Sequence, residues 1–417
     1  MARLVCHGRS GGARTDAVTA RAEAALTAQL AALATTALAQ APTELTLVGP
    51  TDPTERVTGV YCQGPTVCVV TTEASEEGHL YATDGQAITA TVITSDYDLG
   101  EAFGVLGTVE LMGFARVGDT VFVLVDGAAS ALLTNTGDVT DPGSWQRSAL
   151  GLPEGRDSFG GNQQVGLGTD GSGWTLFLRS MIYTGDDPPG PGAIWYETWA
   201  PVPPGERPND IAQRAREDPT LCVAAPAVGI APALTQMGYV APDLSLVVYP
   251  AGARNQSGTA EPGVCVSTDG GETFHHVRFA GVEGDLGPLG VTCEGDVCAA
   301  YGGLQNEPDS TYVYVTHDAG AGAAATWTRA TLPSLRDDAR FRSADFAPGG
   351  QVGWAVGAVG AAAPLALVTS DGGLTWSDAS PLVRAHSADT RLNTVYVPDE
   401  AHVWIGGENG LLLSGGY

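Results

Sequence analysis

The stretch VSTDGGETFHHV, residues 266–277, contains the residue types that acid–base or metal chemistry needs. An aspartate and a glutamate precede the adjacent His275 and His276, and imidazole and carboxylate groups carry protons and ligate metals. A hundred residues later, VTSDGGLTWSDA (368–379) repeats the Asp-Gly-Gly core and the Thr-aromatic ending without any histidine. The shared part is therefore interpreted as a structural turn, and no metal site is predicted.

The Asp-Gly-Gly core belongs to a repeat with the pattern Ser/Thr-x-Asp-x-Gly-x-Thr-Trp/Phe. Asp and Gly favour tight turns, Gly because it accepts a positive φ, and Trp or Phe supplies a large side chain to bury. Its successive aspartates lie 49 and 53 residues apart, an interval typical of repeat architectures. The repeat residues are Ser267, Asp269, Gly271, Thr273 and Phe274, then Asp318, Gly320 and Trp327 in an expanded copy, then Thr369, Asp371, Gly373, Thr375 and Trp376.

Weaker signs of the repeat occur earlier, in LLTNTGDVTDPGSW ending at Trp145 and in LYATDG around Asp84. An apolar, strand-like run precedes each copy, and similar runs mark the regions without a clear copy. Their spacing of 45 to 70 residues fits four short strands each, so the sequence predicts an all-β, seven-bladed propeller of four-stranded blades. The runs are centred near Tyr81, Leu132, Ile194, Val264, Val313, Leu367 and Leu412.

Both ends of the predicted propeller domain, residues 43–417, are expected to share one blade. The chain ends at GLLLSGGY, where a third strand would enter its turn, so the last blade is expected to lack a fourth strand. The segment TELTLVG (Thr43–Gly49) is strand-like and has no blade of its own. We predict that it completes the last blade and closes the ring, because an open ring leaves strand edges unpaired.

The intact copies of the repeat resemble the Asp-box, or BNR repeat, of sialidase-like β-propellers. In that family the Asp-box joins the third and fourth strands of a blade, and its Asp bonds the turn backbone while its aromatic residue packs between blades. The resemblance implies that Asp269 and its counterparts are structural. The repeating pattern of Trp and Gly in GWAVGAVG and VWIGGENGLLLS is also similar to that of single propellers of the photosystem II assembly-factor type. Members of that group bind proteins and have no known catalytic activity.

The charge of the chain disfavours several classes of partner. All 20 basic residues are Arg, and 47 acidic residues bring the formal net charge to −27. Such a chain repels nucleic acids and anionic membranes, so neither is expected as a partner. No cofactor is predicted.

The N-terminal residues 1–39 have the order of a secretory leader. Four Arg precede an Ala/Leu-rich run that ends in Ala37-Leu38-Ala39, and small residues of this kind suit a cleavage site. Acidic residues within the leader leave an amphipathic helix or a disordered segment as the alternative. We expect a secreted, periplasmic or cell-envelope protein with no membrane insertion after leader removal.

Cysteine spacing favours an oxidising compartment. Six cysteines remain beyond the leader, and four of them form two pairs, each separated by a Gly-containing turn between apolar runs. Such a hairpin brings two side chains within reach of a disulfide. Zinc binding is the alternative, but no His is near either pair in sequence. The predicted disulfides are Cys62–Cys68, Cys293–Cys298 and, across a long insertion, Cys222–Cys265.

The loops that link one predicted blade to the next lie around the mouth of a propeller channel, and here they are rich in charge. Nine of the sixteen Arg beyond the leader lie in them, and the planar guanidinium suits carboxylate or phosphate ligands. The competing interpretation is a solvated surface on which Arg and Asp pair with each other. The candidate ligand-binding residues are Arg156, Arg207, Asp285, Arg336, Asp337, Asp338, Arg340, Arg342, Arg384, His386 and Arg391.

Two functions fit these features. The first is a monomeric, non-catalytic binding or scaffold protein that recognises a protein or carbohydrate through the linking loops. The second, implied by the sialidase resemblance, is a glycoside hydrolase acting on an acidic sugar, with three Arg on the sugar carboxylate, a Tyr nucleophile paired with Glu, and an Asp acid. The Arg-Ile-Pro motif of that family is absent, so catalytic residues are unassigned. An enzyme is expected to gather Arg, a carboxylate and a Tyr at the channel mouth.

Overall fold

A computed structural model of the chain describes residues 44–49, 51–64, 67–73, 78–94, 109–127, 131–149, 164–169, 173–178, 182–186, 196–198, 238–251, 263–280, 288–302 and 311–416. The chain divides into two compact units, Met1–Gln40 and Ala41–Tyr417, and every described strand belongs to the second. The predicted leader lies outside the described residues. Within these ranges no helix has both the length and the apolar character to cross a membrane.

The described residues form seven four-stranded antiparallel sheets, with strands numbered β1 to β28 along the chain. The first strands of sheets 1 to 7 are β2 (Arg56–Cys62), β6 (Val109–Val117), β10 (Gln164–Thr169), β14 (Tyr239–Val240), β18 (Pro288–Glu294), β22 (Ala339–Phe346) and β26 (Leu392–Asp399). The second strands are β3 (Cys68–Glu73), β7 (Thr120–Gly127), β11 (Gly173–Leu178), β15 (Val247–Ala251), β19 (Val297–Gly302), β23 (Gly353–Val359) and β27 (His402–Gly407).

The third strands are β4 (His79–Thr83), β8 (Ala131–Asn135), β12 (Ile182–Asp186), β16 (Gly263–Ser267), β20 (Tyr312–Thr316), β24 (Ala363–Thr369) and β28 (Leu412–Gly416). The fourth strands of sheets 1 to 6 are β5 (Ile88–Thr94), β9 (Trp145–Ala149), β13 (Tyr196–Thr198), β17 (His275–Arg278), β21 (Thr328–Arg329) and β25 (Ser377–Asp378). In sheet 7 the fourth position belongs to β1 (Leu45–Leu47), which pairs antiparallel with β28. Helical segments are short: α1 (Ser380–Arg384) and 3₁₀ segments at Pro142–Ser144 and Ala319–Ala324.

The all-β prediction is confirmed, with one strand misplaced. The third strand of sheet 3 was expected near Ile194, but it is β12, and Ile194 lies outside the described residues just before β13. No Asp-Gly-Gly turn follows β12 to mark its end, so the more apolar run downstream was mistaken for the third strand.

Contacts between first strands join neighbouring sheets. Each first strand contacts the first strand of the next sheet, and β26 of sheet 7 contacts β2 of sheet 1. The apolar core lies between neighbouring sheets. Tyr301 of sheet 5, for example, meets Phe341 of sheet 6 edge to face with ring centroids 6.3 Å apart, and both are buried. This packing buries the apolar positions on both faces of a sheet and not on one face only.

A register shift recurs near the start of the first strands. It occurs in sheets 1, 2, 3, 5, 6 and 7, between the first and second strands. In sheets 1, 6 and 7 the residue skipped in the register between the two strands is Thr58, Arg342 and Asn393 respectively. Side chains of a strand alternate between its two faces, and a bulge of this kind changes the direction of one of them. We call these three residues the bulge residues.

The repeat residues form tight turns between third and fourth strands, called aspartate turns below. In sheet 6, Asp371 Oδ1 accepts hydrogen bonds from Thr369 Oγ1 (2.8 Å) and from the Thr375 backbone N–H (2.9 Å), and Asp371 Oδ2 accepts from Thr375 Oγ1 (2.6 Å). Gly373 has a φ of 86°, which favours glycine, and its carbonyl accepts from Trp376 Nε1 at 2.8 Å. Burial raises the pKa of the Asp371 carboxyl, but these hydrogen bonds outweigh it and hold the pKa below its ordinary value.

The aspartate turns of sheets 4 and 5 repeat this arrangement. Asp269 Oδ1 accepts from Ser267 Oγ (2.7 Å) and from the Thr273 backbone (2.9 Å). In the expanded copy, Asp318 Oδ1 accepts from the Thr326 backbone at 2.9 Å across the inserted 3₁₀ segment. Asp269 and Asp318 therefore bond their own turns.

Side chains of β22 also bond the backbone of the neighbouring sheet. Asp345 Oδ2 accepts the Val397 N–H at 2.7 Å, and Ser343 Oγ accepts the Val395 N–H at 3.4 Å. Burial, with a smaller contribution from the nearby Glu294, outweighs the backbone hydrogen bonds and raises the pKa of Asp345 to about 7. Strand β26 pairs with another strand on one side only, and these two bonds satisfy N–H donors on its other side.

Sheets 7 and 1 meet at a buried polar cluster. Glu55 is buried, and its Oε1 lies 2.6 Å from His79 Nδ1 and accepts from the Tyr81 hydroxyl at 3.1 Å. The Glu55 carbonyl accepts from the Gly410 N–H of sheet 7 at 2.7 Å. The cluster thereby anchors the segment that joins β1 to sheet 1.

Two of the predicted disulfides are present. Cys62–Cys68 and Cys293–Cys298 each join directly opposed positions of a hairpin between first and second strands. Cys265 is also disulfide-bonded, but Cys222, its predicted partner, lies outside the described residues.

We predict that Asp371→Ala lowers the free energy of unfolding by about 2–4 kcal/mol, because three hydrogen bonds to one carboxylate are lost. Urea unfolding at pH 7 measures this loss. The pKa of Asp371 is depressed in the folded chain, so the loss should shrink as the pH falls through that lowered pKa. Asp389→Ala, at an exposed position, is the matched control; equal stability of the two variants would contradict the turn's role.

We predict that Asp345→Asn stabilises the protein relative to wild type at pH 8 by about 1–3 kcal/mol, and has little effect at pH 4. A carboxyl whose folded pKa is raised binds its proton more tightly in the folded state, so wild type loses stability as the pH rises from about 4 to 7. Thermal unfolding across this pH range checks it, with the exposed Asp337→Asn as control. A pH-independent difference would contradict the burial of Asp345 as its cause.

Candidate ligand-binding site

The start of each first strand lies at the same edge of its sheet as the end of the second strand, because the two run antiparallel. We call this end of the strands the linking edge, because the segment that arrives from the preceding sheet enters each sheet there. The disulfide hairpins and the aspartate turns lie at the opposite edge, called the turn edge.

Four arginines of sheets 1, 6 and 7 lie at the linking edge. Arg56 begins β2, Arg340 and Arg342 lie in β22, and Arg391 immediately precedes β26. Arg342 and Arg391 both approach the same oxygen of Glu408, at 3.9 and 3.8 Å. Burial lowers the pKa of Arg342, the charges of Arg391, Arg56 and Arg340 also lower it, and Glu408 opposes them. We call these four residues the arginine cluster.

Arg342 is held in place by its neighbour in sheet 7. It is a bulge residue, and its Nη1 donates to Oδ1 of Asn393, the bulge residue of β26, at 2.8 Å. Its side chain is only 18% exposed, and Nη1 lies 3.9 Å from Glu408 Oε1. The bulges of two neighbouring first strands, β22 and β26, therefore fix the guanidinium of Arg342 at the linking edge.

Glu408 lies between Arg342 and Arg391. Its Oε1 is 3.8 Å from Arg391 Nη2, and its backbone N–H donates to the Arg391 carbonyl at 2.9 Å. Asn409 and Gly410, both with positive φ, turn the chain immediately after it. The position of Glu408 is thus set by the backbone as well as by charge.

The other two arginines differ in their surroundings. Arg56 forms a fork-like pair with Glu73, directly opposite on β3, and the two charges cancel. Burial lowers the pKa of Arg340, and its Nε is enclosed without a hydrogen-bond partner among the described residues. A buried donor without an acceptor is unfavourable by about 1–3 kcal/mol, so Arg340 favours an additional acceptor.

Several predicted binding residues lie outside the arginine cluster. Arg336 pairs with Asp338 at 3.0 Å, as expected for a solvated surface, and Asp337 next to them is exposed. Arg384 and His386, in and after α1, are also exposed. Of the eleven predicted residues, three belong to the cluster: Arg340, Arg342 and Arg391. Arg156, Arg207 and Asp285 lie outside the described residues.

Sequence reasoning missed Arg56, Glu73, Asn393 and Glu408, although one signal was available. Arg56, Arg340 and Arg391 each lie two residues before the bulge residue of a first strand. An arginine at this offset in three first strands therefore marks the site.

The histidines that first suggested chemistry do not contribute to this site. His275 and His276 belong to β17, the fourth strand of sheet 4, and His276 is opposite Cys265. Among the described residues there is no group of three or more His, Cys, Asp or Glu suited to a metal ion.

Comparisons with known proteins agree on the fold. No protein-family model matches the sequence. No curated protein matches it either. Among solved structures, YCF48 from Cyanidioschyzon merolae has 13% sequence identity and a TM-score of 0.56, covering 90% of this chain and 99% of that one.

YCF48 bound to D1 peptide is also similar, with 13% identity and a TM-score of 0.52 over 91% of this chain and 97% of that one. A xyloglucanase from Xanthomonas campestris has 16% identity and a TM-score of 0.54, covering 89% of this chain and 53% of the enzyme. At these identities the likeness concerns fold alone. The chain is a β-propeller.

Proposed function

We propose that this chain is an exported, non-catalytic binding protein that recognises carboxylates of a protein partner at its linking edge. The observation that carries this proposal is the arginine cluster. Among the described residues, four guanidinium groups lie near one another and pair with two carboxylates, Glu73 and Glu408, in a chain whose net charge is −27. Against that background, a local excess of positive charge favours an anionic ligand.

The architecture that we propose is a closed, seven-bladed propeller of the Asp-box type over residues 43–417. The chain of contacts between successive first strands and the pairing of β1 with β28 support closure. The hydrogen bonds of Asp371 to its own turn support the Asp-box assignment. In this architecture the arginine cluster surrounds one mouth of the central channel.

Export is proposed on two observations. Residues 1–39 have the order of a secretory leader, and the cysteines of two hairpins are joined as disulfides. Disulfides persist in oxidising compartments such as the periplasm and the extracellular space. We propose that the mature protein is a monomer there.

A protein partner is preferred to a sugar because of the shape of the charged region. Arg342 and Arg391 are partly exposed, and they belong to different strands, so they present donors to an extended acidic segment. The similar propeller YCF48 has been solved with a peptide of D1, which supports a peptide as the kind of ligand this fold accepts.

A glycoside hydrolase remains the second candidate because the arginine cluster also suits an acidic sugar. It would need a tyrosine nucleophile beside the arginines. Tyr81, adjacent in space to Glu55, donates its hydroxyl to that buried carboxylate, an arrangement that anchors the join between sheets 7 and 1. Catalysis is therefore the weaker proposal.

The test is binding of the purified domain (residues 40–417) to an array of short synthetic peptides graded from acidic to basic. We expect acidic peptides to bind, and Arg342→Gln or Arg391→Gln to weaken binding about tenfold or more, because charge-assisted hydrogen bonds are lost. Arg384→Gln, an exposed arginine outside the cluster, is the control for general electrostatic attraction.

Equal weakening by all three substitutions would contradict a specific site. A fluorogenic sialoside and a glycan array should be run beside the peptides. Turnover of the sialoside that disappears in Arg342→Gln would replace the binding proposal with the hydrolase.

A further inference from the structure

The guanidinium groups of the arginine cluster differ in how much charge they can offer a ligand. Arg56 is neutralised by Glu73, whose side chain is 11% exposed and which forms a close two-pronged pair with it. Arg340, Arg342 and Arg391 have no such close partner among the described residues. The positive charges of these three arginines are thus available to a ligand, whereas the charge of Arg56 is not.

Glu408 neutralises one of these positive charges without accepting a hydrogen bond from Arg342 or Arg391. Its Oε1 is 3.9 Å from Arg342 and 3.8 Å from Arg391, distances that are too long for hydrogen bonds. The two guanidinium groups therefore keep N–H donors for another acceptor. Three arginines and one carboxylate leave a net charge of about +2.

Backbone hydrogen bonds also hold Glu408 in position. Its N–H bonds the Arg391 carbonyl, and its own carbonyl accepts from the Leu411 N–H at 3.2 Å. A side chain at Gly410 would come within 2.7 Å of the Asp52 carbonyl, so the turn after Glu408 is packed against the segment that precedes sheet 1. The backbone that carries this carboxylate is consequently fixed beside the two arginines.

We propose that the arginine cluster selects ligands with two carboxylates close together, and that Glu408 sets this preference by cancelling the third positive charge. The inference rests on the proposed function, because it specifies the ligand of the same site. In a protein partner, the ligand would be two neighbouring acidic side chains, or one acidic side chain beside the C-terminal carboxylate. Glu408 is a specificity-determining residue here.

The probes are acetate and succinate, with one and two carboxylates, titrated at constant ionic strength and followed by calorimetry and by the melting temperature. We expect wild type to bind succinate at least tenfold more tightly than acetate. Glu408→Gln keeps the shape of the side chain and removes its charge, so it should tighten succinate binding about five- to tenfold. Arg340→Gln should weaken succinate binding by a similar factor.

Glu400→Gln is the matched control, because Glu400 is an exposed glutamate between β26 and β27 at the turn edge. It should leave both affinities unchanged. Equal affinity for acetate and succinate would overturn the two-carboxylate preference while leaving the anion site intact. Unchanged or weaker binding in Glu408→Gln would overturn the role of Glu408. Binding of neither anion by wild type or by Glu408→Gln would overturn the anion site itself, and the proposed function with it.

Discussion

The first strand of each sheet pairs with a second strand on one side only, and this constraint shapes the centre of the molecule. Donors on the unpaired side need acceptors, and in β26 the side chains of Ser343 and Asp345 supply them from the neighbouring sheet. The cost is a buried carboxyl with a raised pKa. The same strands carry register shifts that turn Arg342 and Asn393 out of the normal alternation. The candidate site and the contacts between sheets therefore share one set of strands.

The arginine cluster shows how like charges are kept together in a folded chain. Guanidinium groups repel one another, and burial of Arg342 adds to the unfavourable energy. Glu73 and Glu408 offset this, each held by a neighbouring strand or turn. Asn393 contributes a neutral acceptor that fixes the direction of one guanidinium. The result is a concentrated positive region whose mutual repulsion is partly offset by neighbouring carboxylates.

Local features were predictable from the sequence and distant juxtapositions were not. The turn at Asp371 and the hairpin disulfide at Cys293 depend on residues within a few positions of each other, so their types and spacing were sufficient. The approach of Arg56 to Arg342 depends on how sheets from opposite ends of the chain meet, which no local pattern encodes. Strand β12 was misplaced because nothing nearby marks its end.

The offset of Arg56, Arg340 and Arg391 from the register shifts of their strands has a consequence for evolution. In sheets 1, 6 and 7 this position carries an arginine of the candidate site, while buried apolar residues such as Tyr301 and Phe341 pack one sheet on another. Substitution at this position changes the charge of the candidate site without removing an apolar contact between sheets. The charge of that site and the packing of the sheets can therefore vary independently in evolution.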